Sequence, residues 1–107
     1  MSGVTFEAGG ASHTMRLGAM TMVRLEKYFD KPIHDVFASL GESPRVSTMV
    51  TVFAATLDGG KGIDAEAAAV LVDEIGFERV GSLLEEAAEI AFPQDQAKNG
   101  TGAKTGG

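Results

Sequence analysis

The order of the local patterns constrains the fold of this chain more than any single motif. Apolar and polar residues alternate over Val4–Glu7 and again over His13–Leu17, which is the period of a half-buried β-strand. Gly9 and Gly10 lie between these segments and supply the left-handed residues that a tight turn needs. From Ala19 onward, apolar residues recur every three or four positions, as in amphipathic helices. The sequence therefore predicts a β-hairpin over residues 4–17 followed by helices.

The hairpin register stays open at this stage. A turn centred on Gly9 and Gly10 places Val4 opposite Met15, whereas a turn centred one residue later places Val4 opposite Leu17. Both registers keep the same apolar residues on one face, namely Val4, Phe6, Met15 and Leu17. Because an isolated hairpin is only marginally stable, we expect this face to lie against the helices.

Two helices are predicted in the next part of the chain. The first runs from Ala19 to Phe29, and its inner stripe is Met22, Leu25 and Phe29. It ends before Pro32, since the residue that precedes a proline avoids helical geometry. The second runs from Pro32 to Leu40, with Asp30 or Lys31 near its cap and Gly41 after its end. Its expected inward residues are Ile33, Val36, Phe37 and Leu40.

Three further helices are predicted up to Phe92. They cover residues 46–57, 64–75 and 77–91, with Asp64 as an N-cap, Gly76 as a stop and a flexible break over residues 58–62. Residues 46–57 contain several β-branched side chains, so a strand is the alternative there. The expected inward residues are Val46, Met49, Val50, Phe53 and Leu57; Ala67, Ala68, Leu71 and Ile75; and Phe77, Val80, Leu84, Ala87 and Ala91.

These patterns predict a mainly α fold, in which an N-terminal β-hairpin packs on a small bundle of about five helices. Residues 1–92 are expected to form one globular domain, and residues 93–107, which hold no bulky apolar side chain, are expected to be disordered. With 107 residues, of which 44% are hydrophobic, the chain can bury a modest core.

The charge of the chain is concentrated in one segment. The net charge is −6, and residues 63–92 hold eight acidic residues against Arg79 alone. This excess argues against nucleic acid as a partner, because phosphates are bound by Lys and Arg. The sequence has no Cys, no recognisable signal peptide and no apolar stretch of the length that crosses a bilayer. We therefore expect an acidic cytoplasmic protein that binds neither nucleic acid nor membrane.

No group of residues predicts a reaction. Gly60-Lys61 resembles part of a phosphate-binding loop, but Ala55 and Gly62 stand where that loop needs Gly and Ser or Thr. His13 and His34 lie in separate segments without partners at metal-ligand spacing. No catalytic residue, cofactor site or metal site is therefore predicted, and we expect a protein that is not an enzyme.

The same order of elements resembles the small tail assembly chaperones of siphovirus-like phages and of bacterial gene transfer agents. The resemblance covers roughly residues 3–92, and it lies in order and spacing rather than in a diagnostic motif. The family often has Gly where Asp30 stands here. The matching segments are Met15-Arg16-Leu17, Leu25-Glu26, Lys31-Pro32-Ile33, Val36-Phe37, residues 53–57 and residues 63–76.

The resemblance implies a binding role without catalysis. Such chaperones coat the tape measure protein during tail assembly, help recruit tail tube protein, and are generally absent from the finished particle. Their place of action would be the cytoplasm of the bacterial host. A structural or connector component of a phage-like tail and an unrelated acidic helical adaptor are the alternatives. The oligomeric state stays open.

Partner-binding residues are predicted on two surfaces. Methionine side chains either fill gaps in a core or adapt to varied partners. If they bind a partner here, an apolar groove is expected between helices 1 and 3, near Met20, Met22, Met49 and Phe53. The acidic helices offer a complementary surface for a basic protein, and a solvated helix face that keeps the protein soluble is the alternative. The acidic residues chosen for this surface are Glu78, Glu85, Glu86 and Glu89.

Overall fold

A computed structural model describes residues 3–41 and 43–92 of the chain, and within these ranges the predicted mainly α fold with an N-terminal hairpin is confirmed. The expected disorder of residues 93–107 concerns residues outside those described. The elements are β1 Val4–Ala8, β2 Ala11–Met15, α1 Ala19–Phe29, α2 Ile33–Ala38, α3 Val46–Thr56, α4 Ala65–Ile75 and α5 Phe77–Ala91. A short 3-10 turn, Asp58–Gly60, follows α3. The strand alternative for α3 is therefore wrong.

The hairpin has one of the two registers that the sequence left open. Val4 pairs with Met15, so the turn is centred on Gly9 and Gly10, which have φ values of 60° and 78°. The apolar face lies in the core, as expected. Phe6 stacks on His13, with ring centroids 5.3 Å apart, and its centroid is 5.9 Å from that of Phe53. His13 thus has a packing role in the hairpin.

Helix α3 lies at the centre of the fold. It packs against α1, α4 and α5, so the C-terminal half of the helix is buried on more than one face. This explains why Val52 is buried although it lies outside the predicted stripe. Val46, the first residue of α3, is 57% exposed because the buried half of the helix begins later, and its predicted inward position is wrong.

Two other helix faces also differ from the predicted stripes. Phe77 is 50% exposed because it begins α5, whose buried residues start at Val80 and include Leu83. Ala67 is exposed because the inner face of α4 is set by Ala68 and by residues three and four positions after it. Both departures are shifts of a helical face and leave the helix bounds unchanged.

The starts of α2 and α4 are capped in different ways. At α2 the N-cap residue is Pro32, with Asp30 and Lys31 just before it as predicted, and Glu26 Oε2 of α1 accepts a hydrogen bond of 2.8 Å from the Ile33 amide. Asp30 adopts left-handed geometry, with φ of 58°, at the end of α1. The predicted cap of α4 is confirmed, because Asp64 Oδ1 accepts from the Ala67 amide at 2.9 Å.

Residues 58–62, here called the glycine loop, form the predicted break between α3 and α4, and hydrogen bonds join this loop to other elements. Thr21 Oγ1 donates to the Gly60 carbonyl at 2.8 Å, and Arg24 Nη2 donates to the same oxygen at 2.6 Å. The Arg16 amide donates to the Thr56 carbonyl at 2.9 Å beside this turn. The bonds from Thr21 and Arg24 fasten the glycine loop to α1.

Candidate functional site

An open cleft is bounded by the end of α2, the start of α3 and the middle of α5. It encloses about 480 Å³. Helix α2 ends at Ala38, two residues before the predicted end at Leu40, and does not cover this part of α5. The apolar residues that line the cleft are Phe37, Leu40, Pro44, Met49, Leu84 and Ala88.

The rim of this cleft carries acidic side chains, and we call the whole cleft the acidic cleft. Glu78 and Glu85 line it from α5, where both are exposed. They are seven positions apart, so they share one face of the helix and are separated by about 10 Å along its axis. Gly81 and Ser82 lie between them and also line the cleft. The cleft thus combines apolar walls with two carboxylates.

The fold itself does not require a glycine at position 81. Gly81 lies in the middle of α5, and a Cβ atom added there would meet no heavy atom within 4 Å. A glycine inside a helix lowers stability by about 1 kcal/mol relative to alanine. The described residues contain no contact that explains this loss.

A different groove lies between α1 and α3 and extends to the start of α4. It encloses about 490 Å³, and Tyr28, which is 69% exposed, forms part of its wall. Arg24, Lys61 and Asp64 are its charged lining residues. Because cations and a carboxylate are mixed there, this groove lacks the single-sign rim of the acidic cleft.

The structure does not bring the four apolar residues of the predicted groove together. Met49 lies in the acidic cleft, Met20 is exposed and Met22 is half-buried. Phe53 is fully buried because α3 is surrounded at that point, so its side chain cannot contact a partner in the folded protein. The groove that does lie between helices 1 and 3 is lined by none of these residues.

The four predicted glutamates divide into two pairs. Glu78 and Glu85 line the acidic cleft, whereas Glu86 and Glu89 are exposed on α5 without lining it. Sequence reasoning missed Phe37 and Leu40 as surface residues because their helical spacing placed them in the core. The signal for the cleft was the early stop of α2 before Gly41, which leaves both side chains only half-buried.

The remaining polar residues form no other centre within the part of the chain that the structure describes. No group of three or more His, Asp or Glu side chains there is close enough to hold a metal ion. His34 packs on Phe92, with ring centroids 5.2 Å apart. No described helix is long and apolar enough to cross a membrane.

Comparisons of the chain with protein-family models, with curated proteins and with solved structures find no match. The chemistry of the acidic cleft is therefore the main guide to function. Its apolar walls can receive the apolar side chains of a partner, and its carboxylates can pair with cations at the edge of the contact.

Proposed function

We propose that this chain is a non-enzymatic tail assembly chaperone, which binds a tape measure protein in the bacterial cytoplasm and helps tail tube assembly. The order of elements over residues 3–92 supports this proposal by its resemblance to that family. The observation that carries it is the acidic cleft, whose apolar walls are left uncovered between α2 and α5.

The cleft is suited to covering an apolar helical stripe. A long helical protein exposes such stripes before it is enclosed in a tail, and burial of apolar surface drives its association with a chaperone. Met49 is unbranched and only half-buried, so its side chain can adapt to different partner residues. The acidic residues of α4 and α5 then keep the complex in solution.

Co-expression tests the proposal. The chain is expressed with the product of the longest open reading frame just downstream of its gene, and the soluble fraction of that product is measured with and without the chain. We expect the long product to become soluble and to co-purify with the chain. A long product that is equally soluble without the chain would refute the chaperone role.

A substitution in the cleft links this result to the structure. Met49→Glu places a carboxylate among apolar walls and should abolish co-purification while far-UV circular dichroism remains unchanged. Val46→Glu is the matched control, because Val46 lies on the same helix, is exposed and does not line the cleft. Retention of the chain in finished particles would favour a structural tail component instead.

A further inference from the structure

We infer that the acidic cleft binds an amphipathic helix of a partner. This ligand helix has two Lys or Arg residues about seven positions apart and an apolar stripe between them, and it packs against α5 at Gly81. The inference rests on the proposed function only for the identity of the partner, because the cleft defines the chemistry of the ligand. A helix is the expected form of the ligand, since the cleft is formed by helices and a loop and presents no strand edge.

Charge determines the polar part of the ligand. Glu78 and Glu85 border the apolar walls, and neither of the nearest basic residues in sequence, Arg45 after Pro44 and Arg79 after Glu78, lines the cleft. A neutral or acidic helix would desolvate the two carboxylates without providing a hydrogen-bond donor or a cation in place of the water, which costs free energy. A helix with cations at positions i and i+7 repeats the spacing of the two glutamates and pairs with both.

Gly81 determines where the ligand helix comes closest. Gly60 is explained within the chain, because a Cβ atom there would lie 3.0 Å from the Arg16 carbonyl oxygen. Gly81 has open space instead, and that space belongs to the cleft. A missing side chain at this point lets a ligand helix approach α5, with its apolar residues toward Met49 and Leu84.

The pairing of ligand cations with Glu78 and Glu85 is tested with a synthetic peptide and the full chain. The probe is an amphipathic peptide of about 18 residues with a Leu stripe and Lys at positions i and i+7, and a second peptide has Glu in place of both Lys. Fluorescence anisotropy should show binding of the Lys peptide alone, weakened by added salt. No binding of the Lys peptide, or equal binding of both peptides, would overturn the inference.

Two double variants separate local charge from total charge. Glu78→Gln with Glu85→Gln should weaken binding of the Lys peptide about tenfold. Glu86→Gln with Glu89→Gln removes the same charge from the same helix outside the cleft and should leave the affinity within about twofold. Equal weakening by both pairs would mean that only the total charge attracts the peptide, which overturns the assignment of the cleft.

Gly81→Ala tests the close approach, because its effects on folding and binding should have opposite signs. Alanine favours the helix, so the melting temperature should rise by about 4 °C. The added methyl group lies under the ligand, so the Lys peptide should bind about tenfold more weakly. Unchanged affinity for the Lys peptide would contradict the close approach of the ligand helix to α5 at Gly81.

The two proposals fail in different experiments. If the Lys peptide binds as expected but the long downstream product does not depend on the chain, the proposed function is wrong and the cleft assignment stands. If that product co-purifies equally with the Glu78→Gln/Glu85→Gln variant, the two glutamates do not bind the partner and the inferred cation pair is wrong, whereas the proposed function, which Met49→Glu tests through the apolar walls, stands.

Discussion

Substitution of Gly60 by alanine should destabilise the protein far more than the same change at Gly59. Both glycines have positive φ, 65° at Gly59 and 95° at Gly60, so alanine is strained at either position by about 1 kcal/mol. They differ in their surroundings. A Cβ atom at Gly59 meets nothing within 4 Å, whereas at Gly60 it lies 3.0 Å from the Arg16 oxygen and 3.1 Å from Thr21 Oγ1.

These contacts determine the expected magnitude. The Arg16 oxygen belongs to the backbone and cannot rotate away, so the glycine loop must shift by a few tenths of an ångström. That shift weakens the bond from Thr21 Oγ1 to the Gly60 carbonyl, and a buried hydroxyl without its partner costs about 1–3 kcal/mol. We therefore expect a loss of about 3 kcal/mol for Gly60→Ala and about 1 kcal/mol for Gly59→Ala.

Urea denaturation followed by far-UV circular dichroism measures both values. The difference of about 2 kcal/mol corresponds to melting temperatures about 10 °C apart for a domain of this size. Equal losses at Gly59 and Gly60 would show that the backbone strain accounts for both effects and that the contacts with Arg16 and Thr21 are unimportant. If Gly60→Ala does not fold at about 25 °C, the two variants can be compared at a lower temperature.

Three further changes test single hydrogen bonds. Glu26→Ala leaves the Ile33 amide without its acceptor and should lower the free energy of unfolding by about 1 kcal/mol, measured by urea denaturation. Asp64→Ala removes the cap of α4 and should lower it by about 1 kcal/mol, with faster hydrogen exchange at the Ala67 amide. Thr21→Val removes a buried donor to the glycine loop and should lower the melting temperature by about 6 °C.

Each of these changes has a neighbouring control. Lys27→Ala and Asp73→Ala alter exposed charges in α1 and α4 and should change stability by no more than about 0.5 kcal/mol. Thr14→Val replaces an exposed threonine of the hairpin and serves the same purpose for Thr21. Losses as large as those of the capping variants would mean that general charge or helix propensity, rather than the named bonds, explains the results.

The helices could be predicted from the sequence because local signals define their ends. Gly76 separates α4 from α5, and Asp64 caps α4. Both features could be predicted from the residue types alone, without tertiary structure. The capping of α2 by Glu26 could not be predicted from the sequence. Glu26 lies seven positions before Ile33, and its side chain reaches the Ile33 amide only after α1 and α2 fold against each other.

The candidate site was harder to predict for a related reason. Apolar residues at every third or fourth position predict which face of a helix is apolar. They do not show whether another element covers that face. Phe53 and Met49 share one pattern in α3, yet Phe53 is enclosed by its neighbours and Met49 lies in an open cleft. Glu78 and Glu85 were found from charge alone, whereas Gly81 required the space around its missing Cβ.

The bonds that fasten the glycine loop also bear on the order of folding. Thr21 and Gly60 are 39 positions apart, and closing a loop of that length costs about 3 kcal/mol of chain entropy. The two bonds to the Gly60 carbonyl, at about 1 kcal/mol each, do not offset this cost alone. We therefore expect the apolar contact of α1 with α3 to form before these bonds. On that order the glycine loop would open before the helices separate, and its amides should exchange hydrogen faster than those of α1 and α3.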